Sequence, residues 1–425
     1  MNPSTSEMLL VLNCGSSSIK FALFDFGREP MPRRPEWGGK IGGIGQPNAA
    51  IDENGGAPQP VALEAARPSA APGAAGPYHA ALDLILERTS ERLAGRPLAG
   101  VVHRVVHGGN KYFEPVRLDA EVLADLENYI PLAPLHQPFA LDAIESLLAS
   151  DPSLTQVACF DTAFHHTLPV VEQMFALPWS AWERGLRRYG FHGLSYDYLS
   201  VALPERHGER ARGRTIVAHL GSGASLCAMR ELKSVATTMG FSALDGLMMG
   251  TRCGALDPGA VIYLMEIEKL TLEQVGHLLY HESGLLGVSG VSPDPRVLLQ
   301  HESRDDETGE RVRAALALYV RRIVREAGSL ASALGGLDML AFTAGVGENN
   351  AAIRERVCRD LAWLGVTIDP QANAANAPVL STPGSRVLVC CEPTNEEWLS
   401  ALRAEPLLRR AEPLRRRADS SRRRA

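Results

Sequence analysis

VLNCGSSSIKFALFD, residues 11–25, sets an Asn, a Gly, three Ser and a Lys between two apolar runs. It resembles a phosphate loop, but a P-loop needs G-x-x-x-x-G-K-[ST] leading from a strand into a helix. Here Gly15 stands five residues before Lys20, no second Gly intervenes, and FALFD continues as a strand. The stretch therefore reads as a β-hairpin whose turn offers N–H groups and hydroxyls to phosphate. Aligning Gly15 with Gly221 lays VLNCGSSSIKFAL over VAHLGSGASLCAM without gaps, with four identities in thirteen positions. Each piece opens a half of the chain of similar size. The pattern predicts a duplicated α/β domain, with one hairpin per domain holding a nucleotide from opposite sides of a cleft.

Outward from the hairpins, strand-like and helix-like runs alternate, as in an α/β protein. Strands are expected at 8–14, 19–26, 99–106, 155–160, 214–220, 225–229, 338–344 and 386–391. Helices are expected at 78–94, 118–128, 139–149, 195–203, 257–268, 271–280, 308–334, 350–363 and 395–403. ARPSAAPGAAGP, residues 66–77, reads as a flexible surface loop.

The 425 residues allow two domains, and 45% hydrophobic against 22% charged residues is ordinary globular composition. No apolar run is long enough for a membrane span. The start MNPSTSEMLLVLNCG lacks the basic residues of a secretory leader. Seven scattered Cys without a CxxC favour reduced thiols over disulfides, and a cytoplasmic protein is expected. Net charge is −6, but residues 409–425 carry eight Arg and two acids, so the body carries −12. An acidic body argues against a nucleic-acid binder, and the basic tail reads as a solvated, disordered end.

Several motifs carry chemistry. Asn13, Ser16, Ser18 and Lys20 of the first hairpin suit phosphate oxygens. VVHRVVHGG (101–109) places Arg104 inside an apolar strand, where either a salt bridge or a bound anion must compensate it. PLAPLHQP (131–138) holds His136 in a Pro-rich loop, and ACFDTAFHHTLP (158–169) ends a buried strand with Asp161. RRYGFHGLS (187–195) and GLMMGTRCGALDPG (246–259) put His192 and Arg252 in Gly-rich loops. FTAGVGENN (342–350) is strand, Gly turn, helix, a place for phosphate or adenosine. EPTNEEW (392–398) sets Glu396 and Glu397 at a helix start. Many hydrogen-bond donors, few nucleophiles and an acid for Mg²⁺ fit phosphoryl transfer.

Together these motifs resemble the acetate and propionate kinase family of the sugar kinase, Hsp70 and actin superfamily. NCGSSSIKFAL, HRVVHGG, LAPLH, FDTAFHHTLP, RRYGFHGLS, HLGSGASL, MGTRCG, SGLLGVSG, FTAGVGEN and PTNEE run in family order between residues 11 and 400. The resemblance implies two duplicated actin-like (ribonuclease H-like) domains with a catalytic cleft between them. It places them at 1–163, completed by a C-terminal helix 397–408, and at 164–396, with 409–425 as the basic tail. It implies reversible, Mg²⁺- (or Mn²⁺-) dependent in-line transfer of the ATP γ-phosphoryl to acetate, giving acetyl phosphate and ADP, by a homodimer. Asn13 and Glu396 (or Glu397) would hold the metal, and Lys20, Ser16 and Ser18 the phosphates. Arg104 and His136 would bind the acid, with Val106, Leu135, Phe191 and Ala243 forming the acyl pocket. Asp161, His192 and Arg252 would be catalytic. His219, Leu220, Gly221, Ser222 and Gly223, then Asp294, Pro295 and Arg296, then Gly345, Val346, Gly347, Glu348 and Asn349 match nucleotide-binding segments.

The chain departs from the family pattern in places. HLGNG becomes HLGSG at Ser222, LHNP becomes LHQP at Gln137, and TRSGDIDP becomes TRCGALDP at Ala255. FTPLEGL becomes FSALDGL at Ala243 and Asp245, and GTSH becomes GLSY at Tyr196. Kinases of propionate or other short acids, and a nucleotide-binding paralogue with impaired turnover, are the alternative readings.

Overall fold

The structure, a computed structural model, describes residues 6–63, 76–134 and 136–422, with side chains up to Arg409 in the last helix. The expected loop 66–77 falls almost wholly on residues outside that range, and Leu135 lies outside it too. The chain forms two compact units, Met1–Ala163 with Asn395–Ala425, and Phe164–Thr394.

In the first unit, β1 (Met8–Gly15) and β2 (Ser18–Asp25) form the antiparallel hairpin read from the sequence, with Ser16 and Ser17 as its turn. Trp37–Gly42 (β3), Ala50–Glu53 (β4) and Gln59–Pro60 (β5) extend the sheet on the β2 side. Leu98–Val105 (β6), Val116–Arg117 (β7) and Gln156–Phe160 (β8) extend it on the other, in the order β5-β4-β3-β2-β1-β6-β8-β7. β6 runs parallel to β1 and β8 parallel to β6. Both are nearly continuous apolar runs, as strands covered on both faces must be. Helix Gln137–Ser150 packs on β1 and β6, and helix Glu396–Arg422 packs on β1, β6 and β8. The chain end is thus tied to the first unit.

The second unit repeats the plan. Thr215–Leu220 (β9), Ala224–Arg230 (β10) and Lys233–Thr237 (β11) form an antiparallel meander, and Met339–Thr343 (β12) and Leu388–Cys391 (β13) add in parallel. The order β11-β10-β9-β12-β13 matches β3-β2-β1-β6-β8 strand for strand in direction. Helix Glu307–Leu334 covers β10, burying Val312, Leu316, Tyr319, Ile323, Ala327, Leu330 and Leu334 at three- and four-residue steps. Asp306 caps its start by accepting from the Gly309 amide.

Two expectations are corrected. β3 and β4 were not foreseen: WGGKIG carries two adjacent Gly and a Lys, which hide the alternation of a strand. Residues 409–422, expected to be disordered, continue the last helix to Arg422. Trp398, Leu399, Ala401, Ala404 and Leu408 anchor its first turns by burial. Arg, Ala, Leu and Glu are good helix formers, whereas Pro406 and Pro413 each remove an intrahelical hydrogen bond at a cost of about 3 kcal/mol.

Candidate active site

In the first unit, Arg104 lies one residue from the end of β6, and Asp161 follows β8 directly. The parallel register pairs Arg104 with Cys159, so both side chains emerge at the carboxyl ends of adjacent strands, where α/β sites form. Arg104 Nε donates to Asp161 Oδ1 at 3.0 Å, and Nη2 donates to Asp161 Oδ2. Nη1 donates to Asn13 Oδ1 at 2.8 Å. Among the described residues, three of the five guanidinium N–H groups find partners, and two remain for another anion. Burial opposes the Arg104 charge, but Asp161, Glu396 and Glu397 outweigh it and push its pKa up. Burial likewise pushes the Asp161 carboxyl above its ordinary range, with Glu396 adding to the effect and Arg104 opposing it.

The neighbouring loop is held from within. Gln137 is fully buried; its Oε1 accepts from the His107 amide at 3.0 Å, and its Nε2 donates to the His107 carbonyl at 3.0 Å. The departure at Gln137 is therefore a main-chain clamp on the end of β6. His136 precedes the helix Gln137–Ser150, and Val106 is buried beside the strand end. Ser16 and Lys20 are exposed and Ser18 half-exposed on the hairpin, with Lys20 paired across it to Asn13.

In the second unit, His192 and Arg252 converge on Gly223. A Cβ there would lie 3.3 Å from His192 Nε2 and 3.7 Å from Arg252 Nη1, so only a residue without a side chain leaves both groups their place. His192 is left-handed at φ 58, an uncommon conformation for a non-glycine residue, and it opens the helix Gly193–His207. Its ring stacks on His219, centroids 4.2 Å apart, and its Nδ1 lies 2.8 Å from Ser225 Oγ. Arg252 Nη1 donates to the Ala243 carbonyl at 3.2 Å, and burial lowers its pKa. Phe191 is buried, and its carbonyl lies 3.0 Å from His165 Nε2. Burial pulls His165 down to about 4, so it stays neutral and pins the backbone next to His192.

Beside Gly221 and Ser222 opens a cavity of about 450 Å³, the size of a small-molecule site. Asp294, Pro295, Arg296, Gly345, Val346 and Asn349 line it as well, as do Gly250, Thr251, Pro293 and Asn350, which sequence reading did not name. Asp294 caps helix Pro295–His301 and pairs with Arg296 at 2.6 Å. Five of the nucleotide residues named in this unit do not line the cavity: His219, Leu220, Gly223, Gly347 and Glu348. Leu220 is buried in β9, a Cβ on Gly347 would lie 3.4 Å from the Ala218 carbonyl, and Glu348 Oε1 accepts from the Ala344 amide at 2.7 Å. That last bond removes one of the helix-start amides expected to meet phosphate.

Arg354 was not foreseen. It is fully buried, and its guanidinium donates to the carbonyls of Gly347, Glu348 and Asn373 and to the side chains of Asn373 and Asn376. It braces the end of the Gly-rich helix Ala344–Asn349 from behind. Nothing distinguishes it in AAIRERVCRDL, because its partners lie outside that stretch, Gly347 and Glu348 before it and Asn373 and Asn376 about twenty residues downstream.

Two sheets of one repeated strand order, each opened by a Gly-Ser hairpin, are the architecture of the actin, Hsp70 and sugar-kinase superfamily. Arginine and histidine set beside a nucleotide-sized cavity make this member a phosphotransferase. The chain belongs to the acetokinase family, whose profile matches residues 8–402. An acetate kinase of Rhodopseudomonas palustris is 50% identical over 401 residues, covering 93% of this chain and 97% of its own. The solved acetate kinase of Porphyromonas gingivalis is 36% identical with a TM-score of 0.78, covering 93% and 98%. A solved propionate kinase from Francisella tularensis is 32% identical with a TM-score of 0.83 over the same shares. As a family member, this chain carries phosphoryl from ATP to a carboxylate acceptor, acetate, giving acetyl phosphate.

Proposed function

We propose that Arg104, steered by Asp161 and Asn13, binds the acceptor carboxylate, while His192 and Arg252 stabilise the phosphoryl group in direct in-line transfer. The shared approach of His192 and Arg252 to Gly223 beside the cavity carries this reading. A carboxylate acceptor is already ionised at neutral pH, so no strong general base is required. The barrier is the approach of two anions. The two spare N–H groups of Arg104 offset one of them, and Arg252 and the His192 ring take charge from the other. Both oxygens of Asp161 serve Arg104, so Asp161 orients that group and abstracts no proton.

Magnesium (or manganese) dependence is typical of the family. Mg²⁺ takes oxygen donors and needs only one or two carboxylates besides phosphate. Asn13, Glu396 and Glu397 fit that donor set, since Glu396 and Glu397 are half-buried and close enough to Arg104 to raise its pKa. Bound there, the ion supplies charge neutralisation on the phosphates. Lys20, exposed on β2, serves the phosphates with Ser16 and Ser18, and the cavity residues of the second unit take the nucleotide.

Acetate is the preferred acid over propionate. One methylene is worth roughly 10–200-fold in a tight apolar pocket, and the family resemblance implies Val106 and Phe191 as bulky walls, though Ala243 stands where the family has Pro. Purified protein with ATP, Mg²⁺ and a panel of short acids, the acyl phosphate trapped by hydroxylamine, measures this. We expect kcat/KM at least tenfold higher for acetate, in keeping with that range. A preference for propionate would shift the reading to a propionate kinase, and ATP binding without acyl phosphate would point to an impaired paralogue.

The chain is also read as a cytoplasmic homodimer. No helix among the described residues is long and apolar enough to cross a membrane, and the seven Cys are free thiols. Helix Pro258–Glu266 buries none of its residues, and Ile262, Tyr263, Ile267 and Leu272 are more than half exposed. A face of that kind is where a second copy would seat. Sedimentation equilibrium is expected to return twice the chain mass, and Ile262→Glu with Leu272→Glu is expected to return the monomer. A monomeric unsubstituted protein would refute the assignment.

A further inference from the structure

We propose that Tyr196 and Ser225 form a hydrogen-bond relay that keeps the His192 ring neutral, with its proton on Nε2, the nitrogen beside Arg252. The inference rests on the reading of His192 as the phosphoryl contact. Tyr196 stands where the family pattern has His, so the relay belongs to this chain's own residues.

Ser225 Oγ lies 2.8 Å from His192 Nδ1 and 2.5 Å from Tyr196 Oη. The serine has one proton to give, and its direction decides the tautomer. Tyr196 is fully buried, and among the described residues Ser225 Oγ is the one hydrogen-bond partner of its hydroxyl. Burial also holds the phenol far above its ordinary pKa, so it keeps its proton. If Ser225 donated to Tyr196, the buried phenolic proton would have no acceptor among the described residues, a costly arrangement. Tyr196 therefore donates to Ser225, and the proton of the buried Ser225, which among the described residues has no acceptor but Nδ1 left, goes to His192 Nδ1. An imidazole that accepts at Nδ1 carries its proton on Nε2. That nitrogen is the one a Cβ at Gly223 would meet at 3.3 Å, with Arg252 Nη1 at 3.7 Å. Two donors then face one small volume, and only one of them is a cation. A neutral ring avoids the repulsion that an imidazolium would suffer beside Arg252. The ring stack with His219 and the left-handed backbone at His192 fix where the ring sits, and the relay fixes where its proton sits. Tyr196 and Ser225 are positioning residues, since they act through His192.

The test is nitrogen NMR on full-length protein labelled with ¹⁵N-histidine, with the His192 signals assigned by their loss in His192→Ala. At neutral pH the unsubstituted protein is expected to show a protonated Nε2 and an unprotonated Nδ1. Ser225→Ala removes the donor to Nδ1. The His192 signals are then expected to move toward a protonated Nδ1. With them, kcat falls about tenfold, the worth of one hydrogen bond, while KM for ATP and acetate stays within about twofold. Ser225→Thr, which restores the hydroxyl, is expected to recover most of kcat. In Tyr196→Phe the Ser225 proton keeps Nδ1 as its acceptor, so Nε2 is expected to stay protonated. A protonated Nδ1 in the unsubstituted protein, or unmoved ring signals in Ser225→Ala, would overturn the relay. Full activity in His192→Ala would instead remove the catalytic reading of His192 and leave the measured tautomer standing.

Discussion

Replacing Arg252 by Ala is expected to lower kcat by about 10³-fold or more, with KM for ATP changed by less than about threefold. The reason for the split is where the charge is needed. Arg252 stands beside His192 at Gly223 and donates to the Ala243 carbonyl. Burial disfavours its charge, so a guanidinium held there gains most when negative charge gathers on the transferring phosphoryl. Such a group lowers the transition state more than the ground state. The substitution is also clean. The Arg252 carbonyl accepts from the Met249 amide, the Thr251 carbonyl from Ser283, and the Leu279 carbonyl from Cys253. Main-chain bonds therefore hold the loop without the side chain. Arg252→Lys keeps the charge, loses the planar fork, and is expected to fall between the two. Steady-state kinetics with ATP varied at saturating acetate provides the measurement. A rise in KM with kcat preserved would reduce Arg252 to a ground-state binding residue.

The order of these residues along the chain was legible because each motif is local. A Gly-Ser turn between apolar runs specifies a hairpin, and the two hairpins announced the repeat that both sheets display. Asp161 could be placed at a strand end, and Arg104 inside a strand, for the same reason. What they do for each other could not be read, since 57 residues separate them and the pair is made by parallel strand register. Gln137 looked like an erosion of the family pattern, yet its amide closes two main-chain bonds to His107. Ser225 and Arg354 carried no signal at all. A serine in a buried strand and an arginine in a charged helix are common, and their roles come from partners brought by tertiary packing. Glu348 was read for a ligand contact from its Gly-rich motif, and that motif gave no sign that its Oε1 accepts from the Ala344 and Thr394 amides.

Arg104→Ala is expected to damage binding and stability together, and the two losses can be separated. Removing a charged donor pair from a carboxylate costs about 1.5–3 kcal/mol, so KM for acetate rises roughly 10–100-fold. The stability loss comes from Asp161, whose side chain is only 2% exposed and would lose its guanidinium partner. Breaking one side of a buried pair typically costs ~3–5 kcal/mol. Burial already pushes the Asp161 carboxyl up, and the opposing pull of Arg104 would be gone. A carboxyl whose folded pKa exceeds its unfolded value binds more protons when folded, so stability falls as pH rises through the window between them. The melting deficit of Arg104→Ala relative to the unsubstituted protein is therefore expected to be larger at pH 8 than at pH 5. Adding Asp161→Asn removes the buried charge and is expected to restore much of the melting temperature at pH 8 without restoring the affinity for acetate. Thermal melts at the two pH values, with acetate-dependent kinetics on the single and double variants, distinguish these outcomes. An unchanged KM for acetate in Arg104→Ala would remove Arg104 from the acceptor site, and a pH-independent melting deficit would show that Asp161 does not carry the strain.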